Sequence, residues 1–248
     1  MVRYLPYIAL LWCAAAQASD IKVVGGSAVT PVMDVLVPQF EQSSGHKVRS
    51  DFDAAVGAVA TRIEKGEHAD VVIVSRAQAD RLERAGKVVA GTRADLAKVG
   101  VGVFVRKGAP RPEIGSVEAF RRTMLAAKSI GYNDPAAGAP VSIYLIGVFD
   151  RLGIGDAMQA KTVVFKQRGE RFAAVARGDV AIGFNQISEI VAVPEVDLVG
   201  PLPAAIQNYT QFTVAVAASS REAEAAKQFI RFITSATAQA LMRARGFE

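Results

Sequence analysis

The sequence is poor in the side chains that carry most metal and thiol chemistry. It has one cysteine among 248 residues and only two histidines. The cysteine, Cys13, falls in an apolar leader, so the rest of the chain can form no disulfide and offers no thiol nucleophile or thiolate ligand. His46 and His68 lie in polar, turn-like segments, and neither has a partner at metal-ligand spacing. We therefore expect no metal site and no cofactor.

Familiar catalytic and nucleotide-binding motifs are also missing. The sequence contains no G-x-S-x-G, no Walker-type phosphate loop and no H-E-x-x-H. Lys and Arg exceed Asp and Glu by only five and are scattered along the chain, which argues against a nucleic-acid partner. We expect no catalytic residues and do not expect an enzyme.

The first 19 residues have the features of a secretory signal peptide. Arg3 precedes an apolar run over residues 7–16, and Ala16-Gln17-Ala18 fits a small-residue cleavage site. The run is too short to span a bilayer. The prediction is a periplasmic protein whose mature chain begins near Ser19. A lipid anchor on Cys13 is the alternative, although the preceding residue is a bulky tryptophan.

The mature chain begins with an alternation of short apolar runs and amphipathic stretches. Residues 21–24 and 70–74 predict strands, and residues 31–43 predict a helix with Thr30 as N-cap and Pro31 in its first turn. This β-α-β-α-β order predicts a parallel, doubly wound sheet. Ligands of such sheets bind beyond the carboxyl ends of the strands.

Two longer β-rich runs, residues 99–106 and 211–217, flank a second stretch of strand–helix alternation. They predict two crossings between two lobes. The predicted fold is therefore α/β, with two doubly wound lobes joined by a two-strand hinge and a ligand cleft between them. Lobe I comprises residues 20–102 plus 212–248, and lobe II comprises residues 103–211.

Two loops of the first lobe connect a predicted strand to the helix that follows it. Ser27, within Gly-Gly-Ser-Ala, could hold an oxyanion with its hydroxyl and neighbouring N–H groups, or could be an ordinary helix cap. The second loop, residues 53–57, has no hydroxyl. Its Gly57 permits close backbone approach, but Asp53 would repel an anion, which favours a surface turn.

Further candidates come from the second lobe. The segment YNDPAAGAPVSIY places small residues ahead of Ser142 and a helix, which predicts a nest of backbone donors. Arg168 precedes another helix and could pair with a carboxylate or oxyanion, or could be a solvated surface arginine. Asn185 and Gln186 end a predicted strand and can both hydrogen-bond a polar ligand.

Together these segments resemble the molybdate-binding-protein family, periplasmic solute-binding proteins of ABC importers with the type II periplasmic-binding-protein fold. The resemblance spans nearly all of the mature chain. It is carried by GGSAVTPVMDVLVPQFEQSSGHKV, ATRIEKGEHADVVIVS, YNDPAAGAPVSIY and ARGDVAIGFNQISEI. The family's fold, two α/β lobes with the ligand in the cleft, agrees with the two β-rich runs.

In the first lobe, the resemblance matches the first family serine to Ser27 and places the second within residues 54–58, where this sequence has no serine. In the second lobe, it implies a backbone donor near Val141 and Ser142, another close to Arg168, and Gln186 in place of the family's tyrosine. The full predicted ligand site is Ser27, Ala28, Ala55, Gly57, Val141, Ser142, Arg168 and Gln186.

The predicted ligand site thus differs from that of the molybdate-binding family, although the predicted fold matches. Each buried donor lost weakens binding of a tetrahedral dianion by about 1–3 kcal/mol, unless Arg168 compensates. The resemblance implies capture of a molybdate- or tungstate-like oxyanion and its delivery to an ABC permease by a monomer. The alternative is a small organic carboxylate bound on the same scaffold, for import or for a membrane sensor.

Overall fold

The computed structural model describes residues 18–167 and 169–248, so nearly all of the predicted signal peptide, and Arg168, lie outside the described residues. None of the described helices is long and apolar enough to cross a bilayer. The strands are β1 (Asp20–Gly26), β2 (Lys47–Ala54), β3 (Val71–Ser75), β4 (Ala94–Arg106), β5 (Ile130–Asn133), β6 (Thr162–Phe165), β7 (Ile182–Gln186), β8 (Val196–Pro201) and β9 (Tyr209–Val216). The helices are α1 (Thr30–Ser44), α2 (Val56–Glu64), α3 (Arg76–Arg84), α4 (Val117–Ala126), α5 (Pro140–Arg151), α6 (Gly155–Gln159), α7 (Glu170–Arg177), α8 (Ile187–Ile190), α9 (Ala223–Ile233) and α10 (Ala236–Ala244).

The first lobe is built on strands in the order β2-β1-β3-β9-β4. β2, β1 and β3 run parallel, while β9 is antiparallel to both β3 and β4. Successive residues of β1 point to opposite faces, because side chains alternate along a strand. Val23 packs with Leu36 of α1 and Phe229 of α9, whereas Val24 packs with Leu82 of α3 on the other face. Helices therefore cover both faces of this sheet.

The second lobe repeats this arrangement on β4, β7, β5 and β6, with β8 on the other side of β4. β5 runs parallel to both β6 and β7. On one face Phe184 of β7 packs with Phe120 of α4 and Phe149 of α5; on the other, Phe104 lies 4.8 Å from the ring of Phe172 in α7. The predicted fold class, two doubly wound α/β lobes, is confirmed.

Strand β4 belongs to both sheets. Residues 94–100 pair with β9, and residues 101–104 pair with β7. At the changeover the side-chain amide of Gln207 takes the place of a neighbouring strand: it accepts from the Val101 N–H at 2.9 Å and donates to the Val101 carbonyl at 3.0 Å. A Cβ on Gly100 would lie 3.0 Å from the Gln207 amide nitrogen, so glycine gives this side chain room. The predicted residue bounds of the lobes stay a prediction.

The first turn of α1 differs from the sequence-based expectation. Thr30 is not the N-cap, because it already lies in the helix and Val29 precedes it without a side-chain capping bond. Its hydroxyl instead donates to the Phe52 carbonyl at 3.3 Å and so ties α1 to β2. β8 and the first half of β4 have no counterpart among the predicted strands, because their polar residues obscure the strand pattern.

We predict that Gln207→Ala destabilises the protein. The substitution removes the acceptor of the Val101 N–H, and a backbone donor left without a partner in a buried position costs about 1–3 kcal/mol. Thermal unfolding followed by circular dichroism should show Tm lowered by several degrees. Gln159→Ala, at the exposed end of α6, is the matched control and should leave Tm unchanged. Equal Tm values for both variants would show that the amide does not support the crossing.

Candidate ligand pocket between the lobes

Several strand-to-helix junctions meet where the two lobes face each other. From the first lobe come Ser27, at the end of β1, and the junction of β2 with α2. From the second lobe come the start of α5 and the end of β7. The N-cap residues of α2 and α5, Ala55 and Ala139, have no side-chain capping bond, so their first N–H groups are left for other acceptors. Helix starts of this kind favour negative charge.

A small pocket opens between these junctions. It offers about 30 Å³ to the centres of water-sized molecules, which corresponds to a few such molecules or one compact anion. Both lobes contribute to its wall. The lining residues are Ser27, Ala55, Val56, Asn133, Ala139, Pro140, Val141, Ser142, Phe184, Asn185, Gln186 and Glu189.

Two buried polar groups of the pocket have no hydrogen-bond partner among the described residues. They are the hydroxyl of Ser142, whose residue is 1% exposed, and the amide nitrogen of Gln186, whose residue is 6% exposed. Buried polar groups in proteins are nearly always hydrogen-bonded. Two donors left in one pocket therefore indicate a place for an acceptor-rich ligand.

The orientation of the Asn133 amide follows from its partner. Arg171, 1% exposed, donates from Nη1 to the Asn133 Oδ1, and its guanidinium lies 4.5 Å from the centre of the Phe172 ring. Because arginine has only donors, the Asn133 oxygen must face it, and the Nδ2 donor points away. Asn133 lines the pocket, so this buried arginine sets which end of the amide a ligand meets.

A second amide is oriented in the opposite sense. The Asn185 Nδ2 donates to the Glu189 Oε2 at 2.8 Å, and both residues are buried. Because an ionised carboxylate only accepts, the Asn185 oxygen is turned away from Glu189. The pocket thus has a donor group of Ser27, Asn133, Ser142 and Gln186, and an acceptor group of Asn185 and Glu189.

The lobes are in contact beside the pocket. The Ser188 hydroxyl of α8 donates to the Ala28 carbonyl at 3.0 Å, and both residues are buried. Nearby, a Cβ on Gly57 would lie 3.5 Å from the Gly138 carbonyl oxygen. The described conformation is therefore one in which the cleft is closed around the pocket.

A wider cleft of about 1,200 Å³ continues outward from the pocket between α2, α3 and α5. Its Arg62 contacts Asp51 and Glu67, and hydrogen bonds from Arg62 and Lys22 lower the pKa of Glu67 to about 2. Arg81 pairs with Glu64 at 2.6 Å. Because these arginines are neutralised by carboxylates, the cleft contributes little net positive charge.

The structure brings together five of the eight predicted site residues, since Ser27, Ala55, Val141, Ser142 and Gln186 all line the pocket. Of the other three, Gly57 and Ala28 do not line it. Gly57 faces the wider cleft, Ala28 is buried and accepts the interlobe bond, and Arg168 lies outside the described residues. The roles of all eight residues as ligand groups stay predictions.

Three residues near the ligand pocket were missed from the sequence. Asn133 and Arg171 carry no local pattern that marks them, because their contact joins positions 38 residues apart. Asn185 lies near the end of strand β7 and Glu189 lies in the helix that follows, so their contact depends on the strand-to-helix turn and not on helical spacing. Within residues 18–167 and 169–248 there is no group of three His, Cys, Asp or Glu side chains that could hold a metal.

Residues 21–248 match one protein-family model, which is described as a bacterial extracellular solute-binding protein. An aconitate isomerase from a Pseudomonas species is 30% identical over 226 residues, which span 90% of this chain and 85% of that protein. The molybdate-binding protein ModA of Azotobacter vinelandii is 29% identical over 182 residues, or 73% of this chain and 69% of the relative.

Among solved structures, the periplasmic molybdate-binding protein of A. vinelandii superposes with a TM-score of 0.76 at 21% identity, covering 92% of this chain and 98% of its own. This likeness confirms the type II periplasmic-binding-protein fold, and with the family match it confirms the resemblance to molybdate-binding proteins. The similar proteins are mostly binding proteins, and the isomerase is an exception.

We predict that Ser142→Ala leaves stability unchanged. The Ser142 hydroxyl has no hydrogen-bond partner among the described residues, so its removal breaks no bond that holds the fold. Tm measured without added ligand should stay within about 2 °C of the parent protein, since the change removes only one atom from the wall of an open pocket. Ser50→Ala, on the exposed side of β2, is the control. A drop beyond 5 °C with Ser50→Ala unaffected would show that the hydroxyl serves the fold.

Proposed function

Because this chain belongs to the bacterial extracellular solute-binding protein family, we propose that it captures a small organic anion with carboxylate groups in the pocket between its lobes. The observation that carries the proposal is the pair of unpartnered buried donors, the Ser142 hydroxyl and the Gln186 amide, facing Ser27 across the cleft. Such an anion supplies the acceptors that these donors lack.

Two features support a carboxylate over a tetrahedral oxyanion. The loop between β2 and α2 offers no hydroxyl, so one donor of the molybdate-binding pattern is missing. The aconitate isomerase is similar over 90% of this chain, while the molybdate-binding relative is similar over 73%. Aconitate, a tricarboxylate, is therefore the first ligand to test.

Molybdate or tungstate is the second candidate. It is supported by the similarity to molybdate-binding proteins and by the small size of the pocket, which suits a compact ion. Neutral donors and helix starts can hold such a dianion without a paired cation. One lost donor, the second-loop serine, counts against it, whereas the Gln186 amide that replaces the family's tyrosine is still a donor.

Binding couples to closure of the lobes. A ligand held by Ser27 on one side and by Ser142 and Gln186 on the other has all its contacts only when the cleft is closed, so it shifts the hinge equilibrium toward the closed shape. We further propose that the protein acts in the periplasm as a monomer. It passes its ligand to an ABC permease, or presents it to a membrane sensor that recognises the same closed form.

We expect isothermal titration calorimetry to give micromolar or tighter binding of cis- or trans-aconitate or citrate, and weaker binding of molybdate and tungstate. Ser142→Ala should reduce carboxylate affinity about ten- to 150-fold, the loss expected for one hydrogen bond to a charged group. Ser50→Ala should bind like the parent protein. Tight molybdate binding with no heat from any carboxylate would replace the first candidate with the second.

Isomerisation of the bound anion is a further candidate function, because one relative is named as an aconitate isomerase and Glu189 is the carboxylate that lines the pocket. In such a reaction Glu189 would take a proton from the methylene carbon. The double bond would move by one carbon, and the proton would return to the former vinyl carbon. No oxidant or metal is needed.

Incubation with cis-aconitate in D₂O, followed by proton NMR, tests this candidate. Turnover should produce the trans isomer and replace methylene protons with deuterium, and Glu189→Gln should abolish both changes. Heat-denatured protein gives the background rate. A protein that binds aconitate but yields neither isomer nor exchange at micromolar concentration over several hours is a binding protein only.

A further inference from the structure

We propose that Glu189, together with the Asn185 amide oxygen, forms an acceptor surface that excludes tetrahedral oxyanions from the pocket and selects an anion that presents a hydroxyl or a C–H group there. The inference rests on the proposed function, since it concerns the same pocket. It assigns the pocket's selectivity to a residue that no sequence motif singled out.

The Glu189 carboxylate is buried in the wall of the pocket. Glu189 is 8% exposed and lines the pocket together with Asn185 and Gln186. One of its oxygens accepts from the Asn185 Nδ2 at 2.8 Å. This bond leaves further acceptor sites on the carboxylate, because two oxygens provide about four.

No ion pair with another described residue neutralises the Glu189 carboxylate. Among residues 18–167 and 169–248, no lysine, arginine or histidine forms an ion pair with Glu189. The one hydrogen bond given above comes from a neutral amide. The carboxylate therefore acts on the contents of the pocket as an acceptor with negative charge in a place of low solvent access.

The shape of the ligand determines which of its atoms meets Glu189. A tetrahedral dianion carries four oxygens, so in any orientation one of them points toward Glu189. At neutral pH molybdate, tungstate and sulfate have no proton to donate, and this contact is repulsive. An elongated organic anion can place its carboxylates on Ser27, Ser142 and Gln186 and turn a carbon or a hydroxyl toward Glu189.

The Asn185 amide lies beside Glu189. Because the Asn185 nitrogen faces the carboxylate, its oxygen is the atom left for other contacts. A hydroxyl on the ligand could donate to this oxygen or to Glu189, whereas an oxyanion could use neither. Asn133, turned the other way by Arg171, presents a donor. The pocket is thus suited to a ligand with both acceptors and a proton-bearing group.

The test is calorimetric titration of three proteins with sodium molybdate, sodium tungstate and citrate. The variants are Glu189→Gln, which keeps the shape and removes the charge, and Asp34→Asn. Asp34 is the matched control because it is exposed and lies with Glu189 around an outer groove, so its removal changes net charge equally but not the pocket. Circular dichroism and Tm confirm folding, and Glu189→Met replaces Glu189→Gln if that variant does not fold.

We expect no molybdate binding by the parent protein up to 1 mM, and at least a tenfold gain for Glu189→Gln, with Asp34→Asn like the parent. Micromolar molybdate binding by the parent overturns the inference. So does a folded Glu189→Gln or Glu189→Met protein with no gain, or an equal gain for Asp34→Asn. Citrate separates the two proposals: if the parent binds no carboxylate, the proposed function fails, and the gain for oxyanions still decides the role of Glu189.

Discussion

The geometry of this protein depends on β4 running unbroken from one sheet into the other. Because the same strand pairs with β9 over residues 94–100 and with β7 over residues 101–104, the two sheets are joined through one strand. In the described conformation this connection places the end of β7, with Asn185 and Gln186, opposite the end of β1, with Ser27. The pocket is the space between these strand ends. The Gln207 amide matters for the same reason, since it completes the hydrogen bonding at the one residue where β4 changes partners.

The donors and acceptors that the pocket presents depend on the orientation of two side-chain amides, those of Asn133 and Asn185. Asparagine can offer either a donor or an acceptor, and its direct neighbours in the fold fix the choice. Arg171 makes Asn133 a donor toward the ligand, and Glu189 makes Asn185 an acceptor. Both neighbours are buried, so the two orientations are held without competition from water. The pattern of donors and acceptors in the pocket thus depends on the partners of the two amides as well as on the amides themselves.

The sequence predicts the elements well and the site only partly, for one physical reason. Periodicity locates strands and helices locally, and doubly wound topology then brings strand ends together, which is why Ser27, Ser142 and Gln186 could be expected at one place. Local pattern carries no information about partners distant in sequence. Arg171 and Asn133 are 38 residues apart, and only the fold shows that one orients the other. Thr30 failed as a cap for the same reason: its hydroxyl bonds to a carbonyl 22 residues away.

The balance of donors and acceptors also bears on the evolution of new chemistry on this scaffold. A pocket that holds an anion only with neutral donors has no base and cannot move a proton. Adding one buried carboxylate weakens the hold on simple oxyanions, because every oxygen of such an ion is an acceptor. The same carboxylate accepts a proton from a hydroxyl, or from a carbon acidified by neighbouring carboxylates. Under the two proposals, selectivity for organic anions and proton transfer depend on the same residue, Glu189, and a single substitution there should alter both.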